Sequence, residues 1–106
     1  MLRLLLSASL AALAAHAQSS YGRVTGRVTD SSGALVSGAS IRAVHLATNS
    51  AATTSSNHDG VYELLNMLPG EYRITVELQG FKKHERSPVP VSVGDVVGVD
   101  VQLEVG

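Results

Sequence analysis

The chain has 106 residues, of which 44% are hydrophobic, only 4% aromatic and 16% charged. That is room for one domain and excludes a TIM barrel or a doubly wound two-domain enzyme, since a domain usually takes roughly 100–200 residues. Eight basic and nine acidic residues leave a net charge of −1, too balanced for a nucleic-acid surface or a polybasic membrane patch.

Part of the apolar fraction belongs to an export segment. Met1, Leu2 and Arg3 form a short basic start, residues 4–15 carry no charge, and Ala15-His16-Ala17 follows. A basic start, an apolar run of roughly 7–15 residues and a small-x-small site are the parts of a secretory signal peptide. Cleavage is expected between Ala17 and Gln18. A membrane span needs about 20 apolar residues, and His16, Gln18, Ser19 and Ser20 interrupt this run. The mature chain is therefore expected to be exported, without a membrane span. It has no Cys, hence no disulfide and no lipid-acceptor thiol, so burial alone must hold the fold.

The remaining pattern has period two. Val24, Gly26 and Val28 alternate with Arg23, Thr25 and Arg27, which predicts a half-buried first strand. Asp30-Ser31-Ser32-Gly33 and Ser37-Gly38 supply turns. Residues 39–47 predict a second strand with Ile41, Ala43 and His45 on one parity. Thr48-Asn49-Ser50 interrupts it, and the polar residues 51–56 predict an edge strand. After Asn57-His58-Asp59-Gly60, Tyr62 and Leu64 alternate. Leu68-Pro69-Gly70 reads as a type II turn before the clearest strand, residues 72–78, with Tyr72, Ile74, Val76 and Leu78 inward. Residues 82–86 are a short charged stretch, and Pro88 and Pro90 confine any strand there to an edge. Val97, Val99, Val101 and Leu103 form the inward row of a last strand. Short alternating segments separated by regular turns predict an all-β antiparallel sandwich.

Five motifs stand in order: Gly26-Arg27-Val28-Thr29-Asp30, Gly33-Ala34-Leu35-Val36-Ser37-Gly38-Ala39, Asp59-Gly60-Val61-Tyr62, Leu68-Pro69-Gly70-Glu71-Tyr72, and Gly80-Phe81. With them the chain resembles the carboxypeptidase regulatory-like domain over residues 22–103. The resemblance implies a single transthyretin-like or carbohydrate-binding-like β-sandwich of about seven strands over residues 18–106. It also implies a place in the periplasm at the N-terminus of a TonB-dependent outer-membrane transporter, behind a signal peptide. The plug and β-barrel of such a transporter do not fit in 106 residues, and both a stand-alone domain and the front of a transporter fit the resemblance.

Despite the family name, the residues do not offer peptidase chemistry. His16, His45, His58 and His84 are far apart in sequence and none begins a His-x-x-Glu pair. Neither a Gly-x-Ser-x-Gly elbow nor a phosphate-binding Gly-x-x-x-x-Gly-Lys is present. Asp30-Ser31-Ser32-Gly33 has the polarity of a calcium loop without its other acidic ligands and closing Glu. No catalytic residue, metal or cofactor is expected. Internal crosslinks of the pilus type need a Lys in the first strand, where Arg23 and Arg27 stand.

The expected role is contact with an envelope protein, such as the transporter, or a spacer. Carbohydrate binding is the alternative. Sugars need exposed aromatic platforms, and with Tyr62 and Tyr72 inward and Phe81 capping the sandwich, Tyr21 is the one candidate for a weak ligand platform. A third reading lets the edge strand at residues 51–56 add to a partner's sheet.

Overall fold

The structure, a computed structural model, describes residues 20–106. The expected export segment and its expected cleavage point between Ala17 and Gln18 lie outside the described residues. The period-two segments become eight strands: β1 (Gly22–Asp30), β2 (Ser40–His45), β3 (Ala51–Ser55), β4 (Val61–Met67), β5 (Gly70–Glu77), β6 (His84–Val91), β7 (Val96–Gly98) and β8 (Val101–Leu103). One sheet has β4 on one side of β1 and both β7 and β8 on the other; the second runs β3-β2-β5-β6.

The inward parities meet in one core. Val24, Val28, Tyr62, Leu64, Val99, Val101 and Leu103 come from the first sheet, and Ile41, Ala43, Tyr72, Ile74, Val76, Val89 and Val91 from the second. Each large side chain so buried stabilises the fold by about 1.5–3 kcal/mol before the entropy of ordering is subtracted. Met67 joins them although it is an odd number of residues from Leu64. A β-bulge makes this possible: Gly22 pairs with Met67 and Val24 with Leu64, so Leu65 and Asn66 together oppose Arg23. Asn66 absorbs the irregularity at φ 54°.

Three details depart from the alternation pattern. The charged residues His84, Glu85 and Arg86, which show no apolar alternation, form the start of β6. That strand is an edge, as its prolines require, and a bulge places Ser87 and Pro88 opposite Arg73. Ser56, expected on a solvated edge, is buried: its hydroxyl donates to Val36 O at 2.8 Å and accepts from Ala39 N at 3.0 Å.

The third departure concerns the last strand, which is split into β7 and β8, both parallel to β1 within an otherwise antiparallel fold. The register does not slip across the split, because Arg23 pairs with Val96 and Val28 with Val101 at the same offset. What breaks is one hydrogen bond. Val99 N still donates to Thr25 O at 2.8 Å, and a regular parallel ladder would return Arg27 N to Val99 O. Instead Arg27 N donates to Asp100 Oδ1 at 2.9 Å, and Val99 O turns inward to accept the Tyr62 hydroxyl at 2.6 Å. A rotated peptide, satisfied by a tyrosine on one side and replaced by an aspartate on the other, thus divides an in-register strand.

Burial, the largest cause, pushes the Tyr62 hydroxyl up to about 12, with Arg86 opposing and Asp100 assisting the shift. The neutral phenol is the folded form, so its stabilisation is complete below about pH 10, the ordinary tyrosine value, and is lost as pH rises towards 12. Thermal melts between pH 9 and 12 are therefore expected to fall more steeply for the wild type than for Tyr62→Phe. Parallel curves would contradict this.

Candidate functional site

Eight large apolar side chains are exposed among the described residues, and six of them, Tyr21, Leu46, Leu65, Leu68, Val93 and Val96, lie at 42–57% exposure on one end of the sandwich. The topology puts them there. That end carries the start of β1, the β2–β3, β4–β5 and β6–β7 connections, and the start of β7. Leu35 and Val105 stand at the opposite end. Scattered exposed apolar residues need no explanation, but a cluster marks a contact surface.

The cluster is built on fixed backbone. Gly94 N donates to Tyr21 O at 3.1 Å and Arg23 N to Asp95 O at 2.9 Å, so the β6–β7 turn is clamped over the chain entering β1. Asp95 Oδ2 accepts from Ser92 N at 3.0 Å and closes that turn. The β4 bulge then turns two consecutive residues, Leu65 and Asn66, to the solvent. Tyr21, Arg23, Leu65, Asn66, Asp95 and Val96 surround a shallow depression of about 290 Å³.

The β4–β5 corner that presents Leu68 is stapled at two successive carbonyls. The Tyr72 hydroxyl donates to Leu68 O at 2.6 Å, and burial raises the pKa of that hydroxyl. His45 Nε2 lies 3.0 Å from Pro69 O. A carbonyl only accepts, so Nε2 carries the proton and Nδ1 accepts from Thr48 N at 3.3 Å, with Thr48 Oγ1 at 3.2 Å. The His45 and Tyr72 rings meet edge to face at 5.0 Å and 89°. Gly70 does not take the φ near +80° of a type II turn; it opens β5 at φ 145°.

The residues singled out in the sequence are distributed as follows. Tyr21 is part of the apolar end and engaged with its surroundings. Tyr62 and Tyr72 are core residues with backbone hydroxyl partners, and Phe81 packs partly buried against the core. His45 ends β2, His58 is in the β3–β4 connection beside Asp59 at 3.5 Å, and His84 opens β6. The structure does not bring these three histidines together. At the opposite end Asp30 Oδ1 accepts from Ser32 N, Ser32 Oγ and Ala34 N at 2.9, 2.6 and 3.0 Å. The Ser32 hydroxyl first, then these amides, hold its carboxyl below the usual range against an opposing desolvation effect. That carboxylate orders its own turn. Leu65 and Val96 were not legible as site residues. Their only signal was an apolar residue on an outward parity.

No curated protein matches the chain. Solved structures share its fold: the Bacillus anthracis TIE protein (17% identity, TM-score 0.69, 81% of this chain and 17% of that one) and a Pseudomonas putida hydroxyquinol 1,2-dioxygenase (11%, 0.65, 86% and 58%). A candidate carbohydrate-binding protein from Bacteroides uniformis is similar at 20% identity and TM-score 0.64 over 79% of this chain and 41% of that one. The chain spans less than two thirds of each of these structures, and at such identities the likeness concerns the fold. The family model for the carboxypeptidase regulatory-like domain matches residues 23–104, and it is to this family of non-catalytic regulatory-like β-sandwiches that the chain belongs.

Proposed function

We propose that the chain is an exported interaction module of the cell envelope, working in the periplasm next to an outer-membrane transporter and touching its protein partner through the apolar end. The observation that carries this reading is the gathering on one end of six of the eight large apolar side chains exposed among the described residues, where a rigid frame of bulge, clamp and staples holds the loops. The basic, apolar and small-residue pattern of the first 17 residues supports export. The test is site-specific photocrosslinking in the periplasm of a Gram-negative host, with the probe at Leu65 or Val96 and, as controls, at Leu35 or Val105. A discrete adduct with one envelope protein is expected from the first pair and not from the second. Equal adducts from both ends, or none from Leu65 and Val96, would overturn the reading.

A second reading rests on the depression at Tyr21. The residues lining it include Tyr21, Asn66, Asp95 and Arg23, an aromatic, an amide, an acid and a base, a combination of residue types that suits a sugar. Titration with oligosaccharides is then expected to show weak saturable binding that falls at least about tenfold, or 1.4 kcal/mol, in Tyr21→Ala. Binding unaffected by that substitution would remove Tyr21 from the site.

A further inference from the structure

The sandwich has edges, and they are not protected alike. β6 carries charges, two prolines and a bulge, and β4 carries Glu63 and its own bulge. These are the usual devices that keep sheet edges from pairing with strangers. β3 has none of them. Among the described residues, its Ala51-Ala52-Thr53-Thr54-Ser55 pairs only with β2, in an unbroken antiparallel register. From Leu46 to Asn57 the sequence contains no charged residue and no proline.

The direction of its free groups follows from the ladder. His45 N donates to Ser50 O at 2.8 Å and Ser56 N to Ala39 O at 3.0 Å, so the residues in step with these two, Ala52 and Thr54, turn their backbone groups to β2. Ala51, Thr53 and Ser55 therefore direct three N–H and three C=O groups to the open side.

We infer that this edge pairs with the same edge of a second copy of the chain, antiparallel about a twofold axis at Thr53, joining two four-stranded sheets into one of eight. The geometry favours this occupant for three reasons. First, an antiparallel pair centred on Thr53 sets Thr53 against its counterpart and Ala51 against Ser55 of the second copy, and these hydrogen-bonded pairs use every outward donor and acceptor. Second, the side chains meeting across the axis are small and uncharged, Thr with Thr and Ala with Ser, which pack on a pleated surface without repulsion. Third, the charge on the adjoining strand is kept from its copy: Arg42 lies beside Thr53 on β2, so two copies of Arg42 are separated by three strand spacings, about 14 Å, beyond the screening length of about 10 Å at 0.1 M salt. A joint of one short strand per copy buries less than the roughly 1,200 Å² of standard interfaces, so the dimer is expected to form reversibly and only at high concentration.

The chain has no cysteine, so Thr53→Cys introduces a single thiol. Across the axis its Cα would face its counterpart at about 5.5 Å, within the 4.4–6.8 Å range for a disulfide. Under mild oxidation Thr53→Cys is expected to form covalent dimer at least about tenfold faster than an exposed control, Gln79→Cys, in proportion to the reversible dimer present. In sedimentation velocity the unmodified chain is expected to shift towards dimer as its concentration approaches 1 mM, and Thr53→Lys, with an unchanged far-UV spectrum, to remain monomeric. A chain that stays monomeric throughout, with Cys at 53 crosslinking no faster than at 79, would overturn the inference. So would amides of Ala51, Thr53 and Ser55 that become protected from exchange only when a separate extended peptide is added.

Discussion

Gly26→Ala is expected to lower the unfolding free energy by about 3 kcal/mol or more, the upper range for overpacking a closed core, and the melting temperature by roughly 12–25 °C for a domain of this size. Gly26 stands on the inward parity of β1 between Val24 and Val28, where a valine would ordinarily fit. A Cβ built there lands on Val99 O, with Val99 C at 2.7 Å and Tyr62 Cε1 at 2.8 Å. The first two are backbone atoms and cannot swing aside. To admit the methyl group, the Val99 peptide must rotate back, which breaks the bond from the buried Tyr62 hydroxyl. The internal control is Gly98→Ala, in the adjoining strand β7 beside Thr25, where an added Cβ meets nothing within 4 Å and no positive φ is required. That substitution is expected to be neutral or to stabilise by about 0.4–1 kcal/mol through the unfolded chain. Urea unfolding of the two variants measures both. Equal effects would mean that the place of Gly26 under Val99 does not determine its identity.

This pair also shows where the sequence could be read and where it could not. Alternation alone places Val24 and Val28 inward, and with them the inward rows of β2, β5 and the β7–β8 segment, because one buried face per strand leaves only one consistent parity. It cannot see the Val99 carbonyl above Gly26, since the contact joins residues far apart in the chain. The parallel pairing of β1 with β7 and β8 was hidden for the same reason: a strand's composition does not say in which direction its neighbour runs. The start of β6 was obscured by its charges, which an edge strand tolerates because both its outer face and its free side meet water.

The candidate site was less legible than the core. Tyr21 could be found by elimination, once the other aromatic rings had been assigned to the interior. Its neighbours could not. Leu65 reaches the surface only through a bulge, and a bulge leaves no mark in the alternation except a parity change at Met67 that a reading confined to Tyr62 and Leu64 does not meet. Val96 joins Leu65 only because β1 lies between β4 and β7. The apolar end is thus a property of the topology, assembled from four separate chain segments with one or two exposed residues each.

Whether that end is held rigidly depends on the corner at Leu68-Pro69-Gly70, and here the second large effect is expected. Gly70 has φ 145°, and a Cβ on it would meet His45 Nε2 first and Cε1 at 2.9 Å. Gly70→Ala therefore combines backbone strain of about 1–3 kcal/mol with displacement of an imidazole that is pinned by Pro69 O and Thr48. A total of about 3 kcal/mol is expected, and the two parts can be separated because only one of them depends on the ring. In a double-mutant cycle, Gly70→Ala in a His45→Ala background is expected to cost at least about 1 kcal/mol less than in the wild type, the remainder being strain that no neighbour can relieve. An unchanged cost would show that the imidazole yields freely and does not fix the corner. If the coupling is found, loss of the ring should also loosen the carbonyls of Leu68 and Pro69. Amide exchange in the β4–β5 corner should then rise in His45→Ala while β2 and β5 stay protected. The histidine at the end of β2 would thereby be identified as the residue through which the core sets the position of Leu68 on the apolar end.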